Sequence, residues 1–363
     1  KEPYMKITFP HMGGVYIPLK TLFEELQVEV VIPPFNNNEM KGLGCKHSPE
    51  YSCLPFKLIL GNVLHSLERG ADTVIMLGGS GPCRFGYFGH LLNMIARDLG
   101  YRFTFICLEP STLHGDIRDF IKKVGCGYRT FLRALMLGWK KLEAVDGLQK
   151  KYWTCLPYSR DKEKSQTVLR NAVDQIAACR SVPEIKSTAA AGSNALDSLR
   201  QATGSLPRVA VVGDIYTLNE PYSNQNIEWL LAEQGIEPCR SIYTSGWVKN
   251  SLLPWNKKAY YCRAKAFAKG YLEDCIGGFA LDTVYHAVSS AETGFDGIVH
   301  VFPVTCMPEI VSRQVLEKIS LEKKIPIMSL ALDEHMERTG VETRVEAFAE
   351  LLHGKKHNVN QNL

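Results

Sequence analysis

The residues best suited to chemistry in this chain are cysteines placed in turns. Cys83 ends the stretch that begins ADTVIMLGGSGPC at Ala71, and Cys306 lies within DGIVHVFPVTCMPEI, which begins at Asp296. Each copy runs from an aspartate through a short apolar segment (Thr73–Leu77, Gly297–Phe302) into a tight turn and then a cysteine. Cys83 lies eleven residues past Asp72, and Cys306 ten past Asp296. Two further cysteines precede these units: Cys53 stands nineteen residues before Asp72, and Cys275 twenty-one before Asp296. Cys53, Cys83 and Cys306 have Gly or Pro neighbours and stand ahead of helical patterns. A helix N-terminus carries partial positive charge and favours a thiolate. Thiolate-only sets hold zinc or an iron–sulfur cluster. Zinc ribbons bring their ligands as close C-x-x-C pairs, and no such pair occurs here. Scattered single ligands fit a cluster held between two lobes. Cys45 is a weaker candidate beside Cys275. Cys107, Cys155, Cys179, Cys239 and Cys262 read as ordinary buried or inert thiols.

The elements that must position these cysteines follow from periodicity. A short continuous apolar run reads as a strand covered on both faces, as in a parallel sheet. Residues just past such a strand lie at its carboxyl end, where open α/β sheets place ligands. The first lobe, 1–110, is expected to hold strands at Tyr4–Pro10, Glu29–Ile32, Thr73–Leu77 and Arg102–Leu108. Helices are expected over Leu19–Gln27, after Cys53-Leu54-Pro55 and over His90–Leu99, with a long polar loop at 34–53. Pro55 suits a first helical turn. Residues 111–205 lack strand signals and read as a helical insert, in which Ser187–Ser193 is either loop or helix start. The second lobe, 206–363, repeats the first: strands at Arg208–Gly213, Glu237–Tyr243, around Gly297 and at Ile325–Leu332. Its expected helices are Ile227–Gln234, one through Leu281 and Val288, Glu309–Lys323 and Arg344–Leu352, with a loop at Asp214–Asn226.

Composition narrows the setting. The 363 residues exceed one core, and 45% apolar with 22% charged residues is ordinary for a globular chain. A formal charge of +4 is too small to argue for nucleic acid. No apolar run approaches the roughly 18–20 residues of a membrane span, and the N-terminus has no signal-peptide core. Lys1 in place of Met reads as a trimmed or partial chain. Eleven cysteines in a chain this long are no dense disulfide framework, so a reduced, cytoplasmic protein is expected.

The stretches SPEYSCLPFKLILGN, GGSGPCRFGYFG, DGIVHVFPVTCMPEIV and LDEHMERTGVETRVEAFAELL resemble the 2-hydroxyacyl-CoA dehydratase superfamily. The nearest branch is the group related to acyl-CoA dehydratase activases, akin to double-cubane-cluster proteins. The resemblance implies two flavodoxin-like doubly wound lobes with a cluster in the cleft between them. It implies Cys53, Cys83 and Cys306 as three protein ligands of a [4Fe–4S] cluster, with Cys275 a further candidate. A double cubane would ask for more thiolates than the three or four that stand out here. An ATPase activator of the ASKHA fold (actin, sugar kinase, heat-shock chaperone) is the implied electron donor. The substrate is a small molecule, an acyl-CoA in the dehydratases, and a homo- or hetero-oligomer is expected.

Other residues fall near the same turns. Ser80, Gly81 and Arg84 are placed to donate to cluster sulfides and tune potential. GGSGPCR lacks the Lys-Ser/Thr ending of a P-loop. Arg84, Glu220 and Glu309 are the catalytic candidates. Glu220 belongs to Asn219-Glu220-Pro221, in a carboxyl-end loop on the substrate side. Lys57 and Arg344 are cleft candidates, and His11 and His47 acid–base candidates. A non-catalytic electron-transfer or assembly subunit, and a zinc or apo binding module, are the competing readings.

Overall fold

The computed structural model describes residues 5–79, 83–109, 111–201, 204–252 and 254–361. It divides into two compact units, Lys1–Leu142 with Arg180–Val182, and Glu143–Cys179 with Pro183–Leu363. Among the described residues, the strands form two four-stranded parallel sheets, one in each unit. No described helix is long and apolar enough to cross a membrane.

In the first unit the chain runs β1 (Lys6–Thr8), α1 (Tyr16–Glu25), β2 (Glu29–Val30), α2 (Asn38–His47), α3 (Leu54–Glu68), β3 (Thr73–Leu77), α4 (Phe85–Asp98), β4 (Thr104–Leu108), α5 (Leu113–Val124) and α6 (Tyr128–Cys155), whose end belongs to the second unit. The sheet order is β2-β1-β3-β4. Ile7, Phe9 and Ile75 pack with Phe23 of α1, Phe120 and Ile121 of α5, and Phe131 of α6. Phe56 of α3 and Phe88 of α4 meet with ring centroids 4.9 Å apart.

The second unit continues with α7 (Lys162–Ala178), α8 (Val182–Ser198), β5 (Arg208–Gly213), α9 (Ile215–Asn219), α10 (Ile227–Glu233), β6 (Glu237–Arg240), α11 (Thr244–Leu252), α12 (Pro254–Ala268), α13 (Ala280–Glu292), β7 (Gly297–Pro303), α14 (Met307–Lys323), β8 (Ile327–Leu332) and α15 (Arg338–Gln361). Its order, β6-β5-β7-β8, repeats the first sheet strand for strand. Along β5, Val209 and Val211 face α10 and α15, while Ala210 and Val212 face α12, α13 and α14. That alternation covers both faces with helices, which is why these strands read as unbroken apolar runs. Both sheets are flavodoxin-like.

The aspartate opening each repeat has one structural job. Asp72 Oδ1 accepts from the Lys6 backbone N–H at 3.0 Å, and its own N–H donates to the Lys6 carbonyl. Asp296 does the same to Arg208, with Oδ2 accepting at 2.8 Å. Each clasp closes an otherwise open backbone donor at the start of the central strand pair.

Two stretches expected as loops are helical. Residues 34–53 contain α2, although three asparagines and two glycines argue for a loop. Asn37 caps it by accepting from Met40 N–H at 2.9 Å. Gly44 of α2 and Gly61 of α3 serve the backbone contact between these helices: a Cβ on Gly44 would overlap the Lys57 carbonyl, and one on Gly61 the Met40 carbonyl. Tertiary contact thus overrides weak helix propensity. Within 214–226, Asp214 starts the short α9 by accepting from the Tyr216 and Thr217 N–H groups. Ser187–Ser193 lies inside α8.

Candidate functional site

In the first unit the structure gathers two cysteine turns. Cys53 is the N-cap residue of α3, in extended conformation (φ −69°, ψ 154°), with Pro55 in the first turn. Its carbonyl accepts from the Phe56 and Lys57 N–H groups. Cys83 directly precedes Arg84, the N-cap of α4. The Arg84 guanidinium donates to the Tyr51 carbonyl at 2.6 Å, tying the Cys83 turn to the Cys53 turn. Buried Lys57 donates to the Glu50 carbonyl at 3.1 Å, so a second cation braces the same turn. Cys45 sits on α2 next to Gly44, whose backbone lies against Lys57 of α3. All three cysteines are partly exposed. Ser80 and Gly81, expected to donate to cluster sulfides, lie outside the described residues.

In the second unit Cys306 is the N-cap of α14, just past the carboxyl end of β7, with Pro308 in the first turn. The local frame matches that of Cys53: an extended cysteine, then a helix with proline in its first turn. Cys275 departs from the repeat. It is exposed, four residues ahead of Phe279, the residue that caps α13. Among the described residues, no three His, Cys, Asp or Glu side chains are grouped so that they could hold one metal ion. The donor chemistry suits a soft metal: thiols at helix starts, with N–H groups and cations beside them.

Behind Cys306 lies a carboxylate cluster of which the sequence singled out Glu309 alone. Glu309, in the first turn of α14, is 0% exposed. Its Oε2 is 2.9 Å from His300 Nε2 on β7 and accepts from Thr283 Oγ1 on α13 at 3.0 Å. Its Oε1 is buried without a partner, as is Asp214 Oδ2 just past β5. Loss of hydration, reinforced by Glu309, raises Asp214 to about 6. The same two causes raise Asp282, at the start of α13, to about 6. Asp214 follows β5 and Glu309 follows β7, neighbouring strands whose next connections leave in opposite directions. That is the switch point at which open α/β sheets bind ligands. His300, alone among the apolar residues of β7, was the sequence signal for this cluster.

The remaining candidates are mostly structural. Asn219 Nδ2 donates to the Ile215 and Ile242 carbonyls. Glu220, 3% exposed, caps the end of α9, and its carboxylate accepts weakly from Tyr222 N–H at 3.4 Å. His11 is buried between the rings of Tyr16 and Phe35. His47 lies in the last turn of α2, and Arg344 is exposed on α15. Burial, with Glu109 next, pushes the Cys107 thiol up to about 12. Burial likewise raises Cys155 and Cys239. A thiol held protonated is a poor ligand. Cys179 caps the end of α7 and donates to the Gln175 carbonyl, and Cys262 is exposed on α12.

No curated protein matches the chain. Residues 11–76, from the turn after β1 through α1, β2, α2 and α3 into β3, match the family described as CoA enzyme activase uncharacterised domain (DUF2229). That segment includes Cys45 and Cys53 and stops short of the Cys83 turn. The match points to the family related to acyl-CoA dehydratase activases and 2-hydroxyacyl-CoA dehydratases.

Proposed function

We propose that this chain is the iron–sulfur component of an ATP-dependent, low-potential reductase or 2-hydroxyacyl-CoA dehydratase-like system. The observation that carries the reading is the joining of the Cys53 and Cys83 turns through Arg84, at the carboxyl end of the first sheet. The equivalent placing of Cys306 in the second sheet supports it, as does the activase-domain match. In this reading Cys53 and Cys83 of one unit and Cys306 of the other hold a [4Fe–4S] cluster. When bound, such a cluster supplies single electrons at low potential, near about −400 mV in a typical ferredoxin and lower elsewhere. The chain's own residues orient and tune. Arg84 and Lys57 fix the Glu50–Cys53 turn through its carbonyls. The starts of α3, α4 and α14 direct N–H groups and partial positive charge toward the thiolates. Asp214, raised to about 6, holds its proton into mildly acidic pH under the influence of Glu309 on the Cys306 helix. The resemblance to the dehydratase systems makes an ASKHA-fold activator ATPase the electron donor, and the sequence shows no P-loop motif.

Anaerobic reconstitution with iron and sulfide tests the reading. Iron, acid-labile sulfide and a reduced-state paramagnetic signal should appear together. Cys53→Ala, Cys83→Ala and Cys306→Ala should each lose most of the iron, while Cys107→Ala and Cys179→Ala keep it. A protein that stays colourless, or whose iron is indifferent to all three substitutions, refutes the assignment. Full multiple turnover on dithionite alone, without activator or ATP, refutes the partnership.

A further inference from the structure

The second unit holds a cavity that the cysteine chemistry does not use. It measures about 300 Å³ and lies between the end of β6, α11, α12 and the start of α13. Its volume is at the lower end of small-molecule sites, roughly 300–1,000 Å³. Tyr243, Trp247, Tyr261 and Phe279 supply aromatic wall, with Trp247 and Phe279 centroids 6.4 Å apart.

Asp282, Tyr260 and His286 form a chain on one side of this cavity. Tyr260 Oη donates to Asp282 Oδ1 at 2.6 Å and lies 3.3 Å from His286 Nε2. Asp282 is half-buried and has no cation among its partners, and loss of hydration is the main cause of its raised pKa. Burial lowers His286 to about 4, so it is neutral at physiological pH and cannot serve as the counter-ion. A desolvated carboxylate without a cation is costly, and proteins pair such groups. The cavity's other charge is Lys257, exposed on α12 and in no ion pair of the described residues. Two opposite charges therefore line one small cavity without meeting each other. Ser241 Oγ, also on the lining, is buried and without a hydrogen-bond partner.

We propose that this cavity is a binding site for a free α-amino acid with an apolar side chain. The ligand ammonium supplies the cation that Asp282 lacks, and aromatic faces favour the same charge. The ligand carboxylate is complementary to Lys257, and Ser241 Oγ donates to it. The apolar side chain occupies the aromatic wall. An amine alone leaves Lys257 unanswered, an acid alone leaves Asp282 unpaired, and the zwitterion satisfies both. The site uses none of the cysteines, so it stands or falls independently of the cluster.

Calorimetry and Trp247 fluorescence on the full chain test this with leucine and phenylalanine. The comparison ligands are isoamylamine and 2-phenylethylamine, which lack the acid, and 4-methylpentanoate and 3-phenylpropionate, which lack the amine. The amino acids should bind saturably and at least about tenfold more tightly than either partial ligand, about 1.4 kcal/mol. Asp282→Asn should lose at least about tenfold in affinity. Lys257→Met, at an exposed position, should reduce the amino acid to the level of its amine, and it carries the test should Asp282→Asn fail to fold. The proposal is overturned by absence of saturation up to about 10 mM, by an acid that binds as tightly as its amino acid, or by a folded Asp282→Asn protein that binds as the parent does.

Discussion

Replacing Glu309 by Gln should flatten the dependence of stability on pH in the second unit. Asp214 and Asp282 each rise from an ordinary 3.8 to about 6, first through burial and then through the Glu309 charge. Between about pH 4 and pH 6 the folded protein therefore holds protons that the unfolded chain has released. With more protons bound in the native state, unfolding free energy falls as pH rises. Each aspartate accounts for about 3 kcal/mol of this decline at 1.36 kcal/mol per tenfold in proton affinity. Glu309 is the lesser cause, so neutralising it should recover on the order of 1 kcal/mol across the window. Gln keeps an oxygen for Thr283 Oγ1, which now donates to Glu309 Oε2. Any fixed penalty of the amide shifts both ends of the profile equally, and the difference between them carries the result. Urea unfolding at steps from about pH 4 to pH 7, read by amide exchange in β7 and α13, isolates this unit from the other. A Gln variant whose decline equals or exceeds the parent's would refute the reasoning, because Glu309 would then not repel these aspartates.

Gly44→Ala should destabilise the first unit by about 1–3 kcal/mol or more, since the added methyl meets the Lys57 carbonyl rather than a flexible side chain; a thermal melt checks this. Asp72→Ala and Asp296→Ala should each cost about 1–2 kcal/mol through loss of a clasp. Because the clasps lie in separate units, their effects should not couple in a double-mutant cycle read by amide exchange. Arg240→Met should cost about 3–5 kcal/mol by leaving Glu228, 1% exposed, without its cation. Adding Glu228→Leu should recover most of that loss.

The sheet framework was legible because its strands are covered on both faces. TVIML at β3 and GIVHVFP at β7 are the runs such burial demands, and strands appear at the expected places along the chain. What escaped was structure decided by contacts distant in sequence. Gly44 of α2 looks like a loop residue until α3 is laid against it. The site was legible where chemistry shows in local pattern, as with a cysteine ahead of Leu-Pro or Met-Pro. It was not legible where three acids, Asp214, Asp282 and Glu309, come from three segments that only the fold assembles. The match between Cys53 and Cys275 shows the limit of reading by repeat. The spacing agrees to within two residues, yet one cysteine caps a helix and the other stands exposed before one.

The close seating of α2 on α3 has a consequence for handling the protein. Asn36–His47 has the composition of a protease-sensitive linker, with lysines at 41 and 46 ready for trypsin. A protease acts on extended chain, so cleavage there must wait for α2 to lift from α3 and unwind. With backbone against backbone at Gly44 and Gly61, little side-chain cushioning lets the helix rock outward first. Brief digestion should therefore leave this segment intact, and a nick within it would report opening of the first unit rather than a boundary between domains.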